Sequence, residues 1–167
     1  MAIFEVKKEK NKDIMQLFRK LNYIMDWCST RQDLIYGSAV SVLDAYEEMV
    51  AVKKVFDKTE RSAFRHYILS IEENEEISLV SFKNFGIEVC ELISNFYGNY
   101  QVLMAVHIDT GNLHIHYVEN SVDYLTGERF DLNWSRLEEL KHRISKILHR
   151  YKLSPVKMRD LDNVEEL

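Results

Sequence analysis

Three histidines, His107, His114 and His116, fall in the stretch VHIDTGNLHIHYVENSV at residues 106–122. If Thr110 and Gly111 form a two-residue hairpin turn, Asp109 pairs with Asn112 and His107 falls directly opposite His114. Side chains alternate along a strand, so His114 and His116 share a face. Opposed residues share one as well, with Cβ atoms about 5 Å apart. The register therefore gathers all three imidazoles. Three neutral imidazoles on adjacent strands make a divalent-metal site that leaves positions open for substrate or water. A lone histidine on such a face is more simply a polar surface residue. Three that converge, with Asp109 and Asn112 at the turn and Asn120 further along, argue for the metal. The argument hinges on the turn, because a loop one residue longer or shorter would send His107 to the opposite face.

The elements that carry these residues are legible in the hydrophobic pattern. Residues 2–7 alternate as a short strand does, and 62–71, 100–109 and 112–122 read as further strands. LIYGSAV at 34–40 is a short strand or loop. A helix begins at Asp13, with Ile14, Leu17, Phe18, Leu21, Ile24, Met25 and Cys28 in one stripe. A second helix runs from Ser41 to Asp57, and a third starts at Ser78 and ends near Gly98. A fourth starts at Asn133 and is stopped by Pro155. The acidic EENEE at 72–76 is a solvated connection, and Thr126–Gly127 a turn. In the hairpin, Val102, Met104, Val106, Ile108, Leu113 and Ile115 make an apolar face for helices to cover, and the histidines face away from it. The order β-α-β-α-β-α-β-β-α predicts one α+β domain over residues 1–155: a central, mainly antiparallel sheet with helices packed on it. Residues 156–167 are expected to form an acidic, loose tail.

Composition narrows the class. The 167 residues suit one domain, and only 5 glycines and 1 proline argue against a sandwich of many short strands. A net charge of −5 is the wrong sign for holding nucleic acid by bulk electrostatics, so a nucleic-acid partner needs a local basic patch or a bound metal. Lys53, Lys54, Arg61 and Arg65, with Lys58, are the candidate phosphate contacts, although cations at a helix end are commonly just solvated. Cys28 and Cys90 show no paired spacing, and no apolar run approaches the roughly 20 residues of a membrane span. A reducing, cytoplasmic setting is the expectation. His142 and His149 read as surface residues, and His66 as either a structural or a functional one.

HIH is a His-hydrophobic-His pair, and the string HIDTGNLHIHYVENSV resembles the third motif of plasmid relaxases, the mobilisation nucleases of the HUH type. The likeness rests on His107, Asp109, His114, His116, Asn120, Ser121 and Val122. It departs at Asn112, where many members have histidine, and at Glu119, which is often apolar in the family. LNYIMD, AYEEMVAVKKVFDK, RHYILS and YQVLMAVHID extend it more faintly over most of the chain. The resemblance implies a sheet with the HUH strand near its centre and three metal-binding histidines. The implied cofactor is Mg²⁺ or Mn²⁺ rather than Zn²⁺, and the implied partners are single-stranded DNA at a transfer origin and accessory mobilisation proteins. It also implies a catalytic tyrosine near the N-terminus, and NYIM points to Tyr23.

Periodicity adds that Tyr23 lies roughly 180° from Ile14 on the first helix, on the polar side with Gln16, Arg19 and Lys20. Tyr36 and Tyr46 are the fallback nucleophiles. In the relaxase reading Tyr23 attacks a phosphodiester and joins the 5′ phosphate, releasing a 3′ hydroxyl. Asp109 and Asn120 orient the histidines from behind. Two other readings stay open on the sequence: a degenerate relative that binds DNA or a mobilisation partner without cleaving, and a metal-binding structural domain.

Overall fold

The computed structural model describes residues 1–9, 12–129 and 131–158. Its elements are β1 (Ile3–Val6), α1 (Ile14–Ile24), β2 (Ile35–Ser38), α2 (Ala45–Val55), β3 (Phe64–Ser70), α3 (Leu79–Ser94), β4 (Val102–His107), β5 (His114–Asn120) and α4 (Trp134–Arg150). The predicted order is the observed one. The five strands form a single sheet in the order β1-β3-β5-β4-β2, and every strand pair is antiparallel. β5, which carries His114 and His116, is the central strand.

Helix starts follow local chemistry. The side chains of Asp13, Ser78 and Asn133 accept the amides of Gln16, Ser81 and Arg136, satisfying donors that a first helical turn leaves open. Helix ends are less legible. The stripe that includes Cys28 overshoots, since α1 stops at Ile24 and Cys28 is exposed. α2 begins at Ala45 rather than Ser41, after Ala39 turns the chain with φ of 55°. Gly98 does not end α3: Asn95 is its C-cap, and Tyr97 takes the left-handed conformation. A Cβ at Gly98 would instead meet the ring of Tyr100 at 2.5 Å. The turn at Gly127 does need glycine, with φ of 74° and the Phe56 ring 2.4 Å from where a Cβ would sit.

Helices cover both faces of the sheet. On one, α3 and α4 pack on Met104, Val106, Ile115 and Tyr117 and form the larger core with Phe82, Phe85, Ile144 and Leu148. On the other, α1 and α2 pack Leu17, Leu21, Ile24 and Met49 on Phe64, Leu103, Ala105 and Val118. Each fully buried side chain of this kind contributes about 1.5–3 kcal/mol relative to exposure. As expected, the histidines face away from the apolar set that includes Met104, Val106 and Ile115. Their own face is covered too, because it carries the second core and α1 ends over them.

The expected domain limit at 155 falls short. Val156 is buried and bridges Ala2 in parallel, and its amide donates to Ser145 Oγ at 3.0 Å. The rest of the expected tail, from 159 onward, lies outside the described residues.

Candidate metal centre and nucleophile

The β4–β5 ladder pairs His107 with His114 and Ala105 with His116, the register the hairpin argument requires. The turn differs from the two-residue form. Pairing stops at His107, and the Ile108 amide donates to the Ser29 carbonyl at 2.8 Å. The loop therefore leaves the sheet plane to meet the segment after α1, while the residues below it keep the register. The imidazole centroids lie 5.2 Å apart for His107 and His114, 4.2 Å for His107 and His116, and 5.0 Å for His114 and His116. One ring nitrogen from each lies within 4.8 Å of the others, a grouping that could hold a metal ion.

The hydrogen bonds decide which nitrogens are free. His107 Nε2 sits 2.9 Å from the Ile24 carbonyl, and His114 Nδ1 sits 3.1 Å from the Asn112 carbonyl. A carbonyl only accepts, so both of these nitrogens carry the proton, and His107 Nδ1 and His114 Nε2 keep their lone pairs. His116 Nδ1 lies 2.9 Å from His66 Nε2, while His116 Nε2 is buried with no hydrogen-bond partner. A buried, unpartnered ring nitrogen in a group of three imidazoles that each keep one lone pair fits a divalent cation. Electrostatics agree. Burial pushes His116 down to about 2 and also lowers His107, each helped by neighbouring imidazoles, so both stay neutral and able to ligate at neutral pH.

Tyr23 stands over this group. It closes the last turn of α1, whose C-cap is Met25, and its ring centroid is 5.6 Å from that of His116 and 5.9 Å from that of His107. It is 53% exposed, and the ammonium of Lys20, one turn earlier, lies 5.2 Å from its ring centre. The polar side of α1 thus becomes the roof of the histidine pocket at the helix end. The fallback tyrosines are elsewhere. Tyr36 donates to Glu91 Oε1 at 2.6 Å, and that bond drives its hydroxyl up to about 12. Its partner Met104 places it on the α3/α4 face. Tyr46 packs edge-on to Phe18.

The structure places several of the expected residues in other settings. Lys53 is fully buried and donates to Asn120 Oδ1 and to Ser121 Oγ, so its ammonium is turned into the fold rather than toward solvent. Asn120 orients no histidine: its amide donates to Met49 O and Gln101 Oε1, tying α2 to the sheet. Asp109 accepts from Ser29 Oγ at 3.0 Å and so anchors the hairpin loop rather than a ring. Arg65 pairs with buried Glu119 at 3.5 Å, and Tyr67 donates to the same carboxylate at 2.6 Å. That network explains a glutamate where an apolar residue is common in the resembling family. Lys54 and Arg61 are exposed. Arg65 also borders a cleft of about 400 Å³ with Lys7, Lys8 and Lys12, a basic surface that the sequence reading passed over. His142 and His149 are exposed on α4, as expected.

A family model described as relaxase, MobA/VirD2-like, nuclease domain matches residues 23–153. This chain belongs to that family. The relaxase match begins at Tyr23 and takes in all three histidines. Protein rlx of Staphylococcus aureus is 30% identical over 104 residues, 62% of this chain and 30% of that protein. Protein TraI of Escherichia coli is 30% identical over 106 residues, 60% of this chain and 14% of that protein. This relaxase chain therefore spans less than a third of either relative. Among solved structures, the Mn-bound MobM relaxase domain in complex with plasmid oriT DNA superposes with a TM-score of 0.64 at 12% identity, covering 99% of this chain and 95% of that one. A structure on the molecular basis of vancomycin resistance transfer in Staphylococcus aureus gives 0.52 at 18% identity over 75% of each chain. These likenesses establish the relaxase fold. Among the described residues, no helix is long and apolar enough to cross a membrane.

Proposed function

We propose that this chain nicks single-stranded DNA at a transfer origin by metal-assisted transesterification, with Tyr23 as the nucleophile. The observation that carries the reading is the tyrosine ring, whose centroid lies within 6 Å of those of two imidazoles in a group of three that can each offer a ring nitrogen within 4.8 Å of the others. His107 Nδ1, His114 Nε2 and His116 Nε2 would hold a divalent ion, Mn²⁺ or Mg²⁺. Such an ion, when bound, polarises the scissile phosphate and offsets its charge. Tyr23 Oη attacks phosphorus and forms a bond to the 5′ phosphate. The bond from phosphorus to the 3′ oxygen breaks, and that oxygen takes a proton from water to become a 3′ hydroxyl. The phenolic proton leaves to solvent, which reaches the half-exposed ring.

Substrate binding draws on two surfaces. Trp27 is 77% exposed just past α1 and borders a cleft with Met25, Ile35 and Leu43, a platform on which unpaired bases stack. The cleft of Lys7, Lys8, Lys12 and Arg65 supplies local positive charge that the net charge of −5 hides. The DNA bound by MobM supports the same partner class here. Accessory mobilisation proteins and a cytoplasmic site of action complete the proposal; the free thiols of Cys28 and Cys90 fit a reducing compartment.

The test is the covalent product. Incubated with Mn²⁺ and single-stranded origin DNA, the wild type should yield a denaturation-resistant protein–DNA adduct. Tyr23→Phe should abolish the adduct while Mn²⁺ uptake stays nearly unchanged, because only the hydroxyl is lost. An adduct formed by the phenylalanine variant would remove Tyr23 from the mechanism. Cleavage without an adduct would indicate hydrolysis instead, and binding without cleavage on a verified origin would indicate a degenerate binder.

A further inference from the structure

The proposed mechanism leaves unused a string of polar groups beside the three histidines, on the same face of the sheet: buried His66 and the part-buried Glu9 and Lys20. Glu9, between β1 and α1, accepts at Oε1 from Lys20 Nζ at 2.8 Å and lies 3.2 Å from His66 Nδ1. His66, on β3, stacks on His116 with centroids 5.1 Å apart, and its Nε2 meets His116 Nδ1 at 2.9 Å. A carboxylate held by an ammonium only accepts, so the His66 proton sits on Nδ1 and donates to Glu9. His66 Nε2 is then left as an acceptor. The proton between the two rings must therefore belong to His116 Nδ1, which clears His116 Nε2, the buried atom with no partner.

We propose that Glu9 and His66 are positioning residues that lock His116 in its Nδ1–H tautomer, so that Nε2 presents a lone pair to the metal before any ion arrives. This rests on the metal-centre reading given above. Free histidine side chains in water favour the Nε2–H form, which would turn a proton, not a lone pair, toward the ion. Without the relay, His116 must change tautomer on every binding event. His107 and His114 need no such device, because backbone carbonyls fix their protons. His116 sits mid-sheet between β3 and β4, and the group its Nδ1 meets is a side chain, His66 Nε2. Outer partners of this kind typically change metal affinity 10–100-fold. Glu9 and Lys20 precede the family-matched residues 23–153, so part of the device lies outside the segment shared with the family.

Two readouts test it on the full chain: Mn²⁺ affinity by calorimetry, and the ¹⁵N signature of the His116 ring in metal-free protein. The wild type should show His116 protonated at Nδ1. His66→Leu should shift that ring to the Nε2–H form and weaken Mn²⁺ binding at least tenfold. His66→Gln keeps an acceptor near the Nε2 position and should stay within about threefold of wild type. Glu9→Ala should fall between the two. A merely structural role for His66 would lower thermal stability without moving the tautomer. An Nε2–H signature in the wild type, or wild-type affinity in a folded His66→Leu, overturns the proposal. If the wild type shows the Nδ1–H signature yet takes up no Mn²⁺, while His66→Leu loses that signature, the relay stands and the metal-centre reading is what fails.

Discussion

The two faces of the sheet are built from the same five strands and do opposite things. The α3/α4 face is filled with Phe82, Phe85, Met104, Ile115 and Tyr117, and its polar exception, the Glu119 carboxylate, is answered by Tyr67 and Arg65. The α1/α2 face has a smaller core, and past the end of α1 it gives way to imidazoles. Its unanswered nitrogen is His116 Nε2. A buried polar group without a partner costs about 1–3 kcal/mol. Among the described residues it lies on the α1/α2 face and not the other, which separates a surface assembled for stability from one that turns a lone pair outward for chemistry.

That contrast can be broken most forcefully on the closed face. Phe85→Ala should cost about 3–5 kcal/mol in urea unfolding, as emptying a packed aromatic site does. The folded fraction should still take up Mn²⁺ with unchanged stoichiometry, since Phe85 belongs to the core on the opposite face of the sheet; altered stoichiometry would show that the faces are not independent. On the open face the effects invert. His114→Ala should leave metal-free stability within about 1 kcal/mol, because the ring is only part-buried, and should weaken Mn²⁺ binding at least tenfold, about 1.4 kcal/mol. A large loss of stability with intact binding would reassign His114 to the scaffold.

The smallest effect probes the buried cation under α2. Lys53 is lowered from its ordinary 10.5 to about 7 by burial and by the charge of Arg129, and it faces Asn120 and Ser121. Between pH 7 and 10.5 the unfolded chain therefore binds more protons at this site than the folded one does. Stability attributable to Lys53 rises with pH across that window, by up to about 1.4 kcal/mol per pH unit, and is flat below it. Unfolding measured at pH 7, 8 and 9 should show the wild type gaining on Lys53→Met at each step. Parallel curves would mean that Lys53 stays charged in the fold.

Much of this was readable in one dimension. Hydrophobic periodicity gave the element order, and Asp13, Ser78 and Asn133 marked three helix starts, because capping acts over three or four residues. The pairing of His107 with His114 was also legible, since strand register counts residues outward from a turn. What was not readable shares a cause. Lys53, Asn120 and Asp109 are each engaged by a residue far away in the chain: Lys53 by Asn120 at a separation of 67, Asn120 by Met49 at 71 and Asp109 by Ser29 at 80. Glu9 and His66, 57 positions apart, went unremarked as a pair for the same reason.

The sequence by itself determined the antiparallel α+β plan, the convergence of three histidines on one sheet face, and the family to which the chain belongs. These depend on local periodicity and on a contiguous motif. Only the tertiary structure decided that α1 would end over those histidines and bring Tyr23 to them, that Lys53 would be buried, and that His66 would stack against His116. Those outcomes depend on which helix covers which face and where it stops. That is set by packing among residues far apart in the chain, and no short window of sequence contains both partners.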